Sequence, residues 1–266
     1  MEEIIMYDFR DLQPRAEPSS SLPLEAICYA GKWLDREIPE FETLVVEGRG
    51  GFERQINAPE RVGDGSLYLN SRIKERKITV TFRLLCNTIE RYNEVLAKLN
   101  QLTYAANVEV KFADEQGYHY IGTIESISLD KPLFSTTGKI EIVCADPYKY
   151  SLPKTIEITG TSTSILDPEL TYQQIPKLIE FTPNSTISKF EMRTNASKVF
   201  TFNETIGAGT KLTIDFTKLA VKLNTTQHLM GLKLSSNFSD FYIQNGTTIT
   251  LNAIGKFKMI YEVKRL

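Results

Sequence analysis

The segment that most constrains the fold is residues 78–85, Ile-Thr-Val-Thr-Phe-Arg-Leu-Leu, which begins with strict alternation of apolar and polar side chains. Successive side chains of a β-strand point to opposite faces of its sheet, so this pattern predicts a strand with one buried face. The predicted buried set is Ile78, Val80, Phe82 and Leu84. Three further segments have similar patterns, at residues 108–112, 118–128 and 139–144. The first half of the chain is therefore predicted to be rich in strands.

Residues 88–104 depart from this alternation because their apolar side chains recur at helical spacing. The apolar stripe consists of Ile89, Tyr92, Val95, Leu96, Leu99 and Leu102. Asn87 is the predicted N-cap, and Glu90 three residues later completes a capping-box pattern. A single amphipathic helix among strands usually covers one face of a sheet, so we expect an α+β N-terminal domain.

A domain boundary is predicted at residues 146–153, Asp-Pro-Tyr-Lys-Tyr-Ser-Leu-Pro. Each proline restricts its own backbone and that of the residue before it, which interrupts regular structure. A chain of 266 residues is also long for one hydrophobic core. We therefore expect two domains, residues 1–150 and residues 151–266.

Beyond the boundary, Thr, Ser and Asn become more frequent and the predicted strands are short. They lie at residues 154–159, 177–182, 187–193, 197–202, 210–216, 229–234 and 256–264. Many short strands at near-regular spacing are typical of a β-sandwich. The fold class expected for the whole chain is mostly β, with a C-terminal sandwich similar to galectins and carbohydrate-binding modules.

Residues 241–251 suggest a hairpin around Asn245 and Gly246. Residues that pair across a hairpin must lie on the same face of the sheet. A three-residue loop, 245–247, pairs Ile243 with Ile249, whereas a two-residue loop would pair Ile243 with a threonine. The sequence therefore predicts the longer loop, with a bulge near Gly246.

Charge and hydropathy exclude several classes of partner. The 31 basic and 33 acidic residues give a net charge of -2, too balanced for a surface that tracks phosphates or anionic lipids. No apolar run approaches the roughly 20 residues that span a bilayer. The acidic N-terminus predicts no export signal. We expect a protein made in a cytoplasm, with neither nucleic acid nor membrane as a specific partner.

No local signature of catalysis or metal binding is present. Residues 48–53, Gly-Arg-Gly-Gly-Phe-Glu, lack the spacing of phosphate-binding loops, and we expect a turn or a mobile loop there. The two histidines, His119 and His228, lie in no zinc motif. No GxSxG elbow occurs. We predict no catalytic, cofactor-binding or metal-binding residues, no cofactor and no enzyme activity.

Two groups of side chains fit chemistry only weakly. The carboxylate pairs Asp114/Glu115 and Asp8/Asp11 could serve a glycosidase, but nothing singles them out among the acidic residues, and we expect solvated charges. The three cysteines form no CxxC pair and are predicted to be reduced and mostly buried; they are Cys28, Cys86 and Cys144.

The aromatic residues leave a second function open. A β-sandwich with exposed aromatic rings can bind sugars, and the C-terminal half holds Tyr172, Phe200, Phe202, Phe216, Phe238, Phe241 and Tyr242. Several of these fall at alternating strand positions that would fill the interior of a sandwich. We therefore favour core packing, and keep binding of host cell-wall saccharide as the alternative.

Three stretches, read in order, resemble the distal tail proteins (Dit) of long-tailed phages that infect Gram-positive bacteria. The first is the glycine turn 64–67 that leads into the charged and then alternating strand 74–82. The second is residues 142–150, Ile-Val-Cys-Ala-Asp-Pro-Tyr-Lys-Tyr, which resemble the end of the family's N-terminal domain. The third comprises residues 211–216, 221–224, 239–241 and 245–249, which are similar to parts of the family's C-terminal sandwich.

The resemblance implies a structural protein of the virion tail tip. Six copies would form a ring through residues 1–150, stacked under the tail tube, and residues 151–266 would be docking domains. The implied partners are further copies of the chain, the tail tube protein, and a tail-associated lysin, tail fibre or receptor-binding protein. The symmetric ring would set the number of adhesion devices and leave a channel for DNA.

Overall fold

The computed structural model describes residues 22–130, 135–158 and 160–266. Within these ranges the chain is mostly β, which confirms the predicted fold class. The chain divides into two compact units, Met1–Lys149 together with Leu266, and Tyr150–Arg265. Asp8 and Asp11 lie outside the described residues.

Within its described residues, the first unit contains nine strands and two helices. The strands are β1 (Ile27–Tyr29), β2 (Lys32–Trp33), β3 (Phe41–Glu47), β4 (Arg54–Asn57), β5 (Asn70–Ile73), β6 (Arg76–Leu85), β7 (Val108–Phe112), β8 (Tyr118–Leu129) and β9 (Ser135–Cys144). The helices are α1 (Leu34–Glu37) and α2 (Ile89–Thr103).

One antiparallel sheet organises the first unit, with the strand order β2-β1-β7-β8-β9-β6-β3. The predicted inward set of β6 is fully buried, so the alternation of residues 78–85 is confirmed. Tyr92, Val95 and Leu99 of α2 belong to the same buried cluster as that set. The helix therefore covers one face of the sheet, as expected from its apolar stripe.

The start of α2 differs from the prediction. Thr88, not Asn87, is the N-cap, and its side-chain oxygen accepts a hydrogen bond from the backbone N–H of Arg91 at 3.2 Å. Because the cap lies one residue later, the third helical position is Arg91, and Glu90 cannot complete a capping box. Ile89 at the first helical turn is exposed rather than part of the buried stripe.

One short strand, β10 (Lys149–Ser151), leads from the first unit into the second. The second unit continues with β11 (Lys154–Ile158), β12 (Ser162–Ser164), β13 (Leu178–Pro183), β14 (Phe190–Thr194), β15 (Val199–Phe202), β16 (Leu212–Asp215), β17 (Ala220–Leu223), β18 (Thr226–Gln227), β19 (Thr248–Leu251), β20 (Gly255–Tyr261) and β21 (Lys264–Arg265).

Two sheets form a sandwich in the second unit. Their strand orders are β11-β20-β13-β16-β17-β18 and β12-β19-β14-β15. Side chains from both sheets share one buried cluster, and the rings of Phe181 and Phe190 lie 4.6 Å apart between centroids. The predicted sandwich is therefore present.

Two local predictions in this unit are wrong. Residues 229–234 contain a short 3-10 helix, Leu229–Gly231, instead of a strand. Residues 241–251 form no hairpin, because Ile243 bridges Gln174 while β19 pairs with β12 and β14. Ile243 and Ile249 are both buried, so their inward orientation was right and only their pairing was wrong. Residues far apart in the chain supply both partners, which a local register argument cannot identify.

Candidate assembly surface

The most exposed regular structure in the first unit is a hairpin that we call the arm, residues 52–74. Its strands β4 and β5 pair only with each other, with Arg54 opposite Ile73 and Asn57 opposite Asn70. Every residue of β4 is exposed. An isolated two-stranded hairpin is marginally stable in water, since neither face is covered. The arm therefore needs a contact beyond its own two strands.

The two faces of the arm differ in chemistry. Residues opposite one another in an antiparallel pair share a face, so Arg54 shares a face with Ile73, and Ile56 shares a face with Ser71. Alternation places all four on the same side of the arm and adds Phe52 and Leu69. Phe52, Ile56 and Leu69 expose 55%, 60% and 53% of their surface. The opposite face is polar and consists of Gln55, Asn57, Asn70 and Arg72. The apolar face is not continuous, because Arg54 lies on it with its guanidinium carbon 5.6 Å from the Phe52 ring centroid. Its exposed apolar side chains nevertheless distinguish it from the polar face.

The tip of the arm is exposed and carries apolar as well as charged side chains. Glu60 and Ser66 form a bridge that closes the turn, and Val62 at its end is fully exposed. Tyr68 is exposed as well, and its hydroxyl lies 2.9 Å from the Ser71 hydroxyl. A group of exposed apolar side chains close together often marks an interaction surface.

Arg76 fixes the root of the arm. Its guanidinium is buried and donates to the backbone carbonyl oxygens of Gly48 at 3.0 Å, Arg49 at 2.8 Å, Gly51 at 2.7 Å and Pro147 at 2.8 Å. The first three carbonyls belong to the predicted loop 48–53. One arginine thus supplies donors to three carbonyls of the loop, although Gly48 and Gly51 are themselves exposed.

Gly48 brings this loop against β6. Its φ of +90° lies in the left-handed region, and a Cβ atom there would meet the Lys77 carbonyl oxygen at 2.1 Å. Only glycine fits such an approach. The glycine-rich segment therefore has a structural role. A groove of about 490 Å³ lies beside it and is lined in part by Phe52, Lys74 and Arg76.

The acidic pair Asp114/Glu115 lies near this loop. Asp114 is exposed, as expected of a solvated charge, but both carboxylates form ion pairs that were not expected. Arg49 donates to both carboxylate oxygens of Asp114, at 2.7 and 2.8 Å, and to Glu25 at 2.6 Å. The Arg49 guanidinium holds the pKa of Asp114 below its ordinary value. Glu115 pairs with Lys149 and accepts from the Tyr120 hydroxyl at 3.0 Å. Both carboxylates thus have structural cationic partners.

The histidines and cysteines are separated in the structure. His119 is buried on β8, whereas His228 in the second unit lies 2.9 Å from the Glu204 carboxylate. All three cysteines are free and buried. In the described ranges, no group of three or more His, Cys, Asp or Glu side chains could hold a metal ion. No helix among those ranges is long and apolar enough to cross a membrane.

Most aromatic side chains of the second unit pack inside the sandwich, as predicted. The buried rings are those of Phe200, Phe202, Phe216, Phe238 and Phe241. Tyr172 is exposed, and Tyr242 stacks under the Lys198 ammonium, whose nitrogen lies 4.8 Å from the ring centroid.

The arm is the feature that the sequence analysis did not identify, since β4 and β5 were not predicted. A weak signal was available: Phe52 and Ile56 would lie on one face of a strand, the turn glycines Gly63 and Gly65 follow, and apolar residues come after them. A hairpin that does not pack against a hydrophobic core has few apolar residues. Its sequence pattern is therefore as weak as that of a loop and is easily overlooked.

Comparison with known proteins supports the resemblance noted in the sequence. Residues 171–264 match the family model described as the siphovirus-type tail component, C-terminal domain. The comparison with curated proteins finds no match. The family match covers much of the sandwich, and with the structural likeness below it confirms the similarity to siphophage distal tail proteins.

Solved structures share the fold over most of the chain. The crystal structure of the Dit protein of phage SPP1, described as a paradigm of the hub adsorption apparatus in phages infecting Gram-positive bacteria, aligns with a TM-score of 0.76 and 17% identity, over 89% of this chain and 98% of that one. A chain of the phage P2 baseplate in its activated conformation with Ca aligns with a TM-score of 0.52 and 9% identity, over 84% of this chain and 90% of that one. The corresponding Sr structure gives 0.54 and 10%, over 85% and 91%.

Proposed function

We propose that the protein is a distal tail protein, the baseplate hub of a phage with a long, non-contractile tail. Six copies form a ring through residues 1–150, and residues 151–266 form docking domains. The ring connects the tail tube to the adhesion device at the tail tip, where a tail-associated lysin, tail fibre or receptor-binding protein attaches. The chain is made in the cytoplasm of the host bacterium and performs no chemistry. The match of residues 171–264 to a siphovirus tail component supports this proposal.

The arm is the observation that carries the proposed ring. Its apolar face is left uncovered by its own unit, although covering a Phe, Ile or Leu side chain contributes about 1.5–3 kcal/mol. An adjacent copy of the chain can supply that cover. If each arm contacts the next copy, the contact is heterologous, and a rotation that closes after six copies gives a ring.

The root of the arm suits this role because it is rigid. Arg76 and Gly48 fix the loop from which β4 begins, so that the direction of the arm is set within the unit. The same contact repeats six times in the ring, so the angle between neighbouring copies must be fixed. Small deviations in that angle would add up and prevent the ring from closing. Subunit interfaces that persist usually bury on the order of 2,000 Å² or more, so the arm contributes part of the contact and the remainder comes from the sheet.

Two adjacent substitutions on β4 test the ring. Ile56→Asp places a carboxylate on the apolar face, and Asn57→Asp places the same carboxylate on the polar face. We expect Asn57→Asp to assemble like the unmodified chain and Ile56→Asp to remain monomeric, as measured by multi-angle light scattering and by electron microscopy in the presence of tail tubes. The fluorescence of Trp33, the single tryptophan, reports whether the first unit stays folded.

The pair separates assembly from folding. A folded Ile56→Asp variant that assembles as well as Asn57→Asp would show that the apolar face of the arm takes no part in the ring. Failure of the unmodified chain to form rings on tail tubes would contradict the proposed function itself.

A further inference from the structure

A segment of the second unit presents large aliphatic side chains to solvent although its backbone is firmly held. We call residues 228–237 the strap. It runs along β15: the Asn203 N–H donates to the Gly231 carbonyl at 2.6 Å, and the Lys233 N–H donates to the Thr201 carbonyl at 3.0 Å. The Asn237 N–H donates to the Val199 carbonyl at 2.8 Å. The strap therefore follows the edge of β15 as an irregular segment, with a bridge between Phe202 and Leu232.

Close packing fixes the strap at its centre. A Cβ atom on Gly231 would lie 2.5 Å from the Phe202 ring and 2.8 Å from the Glu204 carboxylate. His228 at the start of the strap binds that same carboxylate, with 2.9 Å between Nδ1 and Oε2. These contacts hold the backbone of the strap against the sandwich, so its outward side chains are held in place as well.

Those outward side chains are Leu229, Met230 and Leu234, which expose 48%, 96% and 104% of their surface. A mobile loop can expose aliphatic groups without consequence, but a segment fixed by backbone bonds keeps them in solvent permanently. Leu232, between them, is partly buried and packs against the core. The strap thus contributes one side chain to its own unit and holds three outside it, which is the arrangement of a protein interaction surface.

The charge around these side chains indicates the chemistry of the partner. Between Asp215 and Asp240 the chain contains three lysines and no Asp or Glu, and Asp240 is itself paired with Lys198. Lys222 and Lys233 form no ion pair within the part of the chain that the structure describes. The nearby Glu204 carboxylate is engaged with His228. Lys233 precedes Leu234 in the strap, and Lys222 follows Val221, whose carbonyl accepts a hydrogen bond from the His228 N–H at the start of the strap. Apolar side chains with cations beside them are complementary to an apolar pocket bordered by carboxylates.

We propose that the strap is the docking surface for another tail protein, which receives Leu229, Met230 and Leu234 in an apolar pocket and pairs its own carboxylates with Lys222 and Lys233. The inference rests on the proposed docking role of the second unit and adds the surface and the chemistry of its partner. A nucleic acid or an anionic membrane is a poorer occupant, because phosphate-binding surfaces use more cations and do not need three aliphatic groups.

Binding measurements with separately purified tail proteins of the same phage test this proposal. Each is presented to the immobilised full-length chain by biolayer interferometry. We expect one acidic tail protein to bind, with affinity falling at least about tenfold in the Met230→Asp variant, as for a central interface residue. Leu166→Asp is the matched control, since Leu166 is also an exposed aliphatic residue of the second unit but lies outside the strap. This control should bind like the unmodified chain.

Charge reversal gives a second readout. Lys233→Glu should slow association, and raising the salt concentration should remove the difference between this variant and the unmodified chain. The proposal is overturned if no tail protein binds, if the strap contacts only a second copy of the chain, or if Met230→Asp and Leu166→Asp have equal effects. Ring formation on tail tubes is scored separately for each variant. Intact rings with unaltered partner binding in Met230→Asp would refute the strap alone, whereas loss of rings in the unmodified chain would refute the hub.

Discussion

Replacing Arg76 by leucine should destabilise the first unit, because one buried side chain donates to four backbone carbonyls. The guanidinium is buried and bonds the carbonyl oxygens of Gly48, Arg49, Gly51 and Pro147 at 2.7–3.0 Å. Leucine fills much of the volume and leaves all four acceptors without that donor.

The size of the effect follows from these acceptors. A buried polar group left without a partner costs about 1–3 kcal/mol, and water from the adjacent groove can satisfy some of the four. Gly48 and Gly51 are exposed, so water can reach their carbonyls, and we expect a loss of about 1–3 kcal/mol. For a unit of this size, that loss lowers the melting temperature by roughly 5 °C.

Trp33 provides the assay, because the single tryptophan lies on β2 of the first unit and its fluorescence follows the unfolding of that unit. Arg72→Leu is the matched control: Arg72 lies on exposed β5 and makes one hydrogen bond to Gln55, at 2.9 Å. The control should change stability by less than about 0.5 kcal/mol. Equal melting temperatures for Arg76→Leu and Arg72→Leu would refute the account of the arm's root.

Three further outcomes are expected. Burial raises the pKa of the Cys86 and Cys144 thiols to about 11, so an aromatic disulfide reagent at pH 8 should label them only after unfolding; rapid labelling of native protein would contradict their burial. Because Arg49 lowers the pKa of Asp114, this pair should stabilise the protein fully above about pH 4 and lose its contribution as the pH falls further. Urea denaturation should show a shallower acid loss in Asp114→Asn than in the unmodified chain, and equal losses would oppose this assignment. Calorimetry should detect no binding of wall saccharides, since most rings of the second unit are buried; binding abolished by Tyr172→Ala would favour the alternative function.

Sequence reasoning succeeded where a local pattern reports burial directly. The alternation of residues 78–85 identified the inward face of β6, because a strand with one buried face must repeat every two residues. The helical spacing of residues 88–104 identified α2 for the corresponding reason. Its cap was misplaced by one residue, since Asn87 and Thr88 are both good N-cap residues and only the backbone geometry distinguishes them.

Prediction failed where partners lie far apart in the chain. Ile243 and Ile249 fit a local hairpin, yet Gln174 and β14 supply their neighbours. The arm and the strap escaped prediction for a different reason, because their apolar residues cover nothing within their own unit. Periodic apolar patterns report which side chains are buried within one folded chain. They cannot distinguish an exposed apolar side chain that another protein covers from one in an ordinary loop.

Electron microscopy of the purified full-length chain mixed with tail tubes of the same phage tests the hub most directly. The account predicts rings of six copies at one end of each tube, formed by the unmodified chain and by Asn57→Asp, and absent with Ile56→Asp. Tube ends that remain bare, or rings with another number of copies, would contradict it.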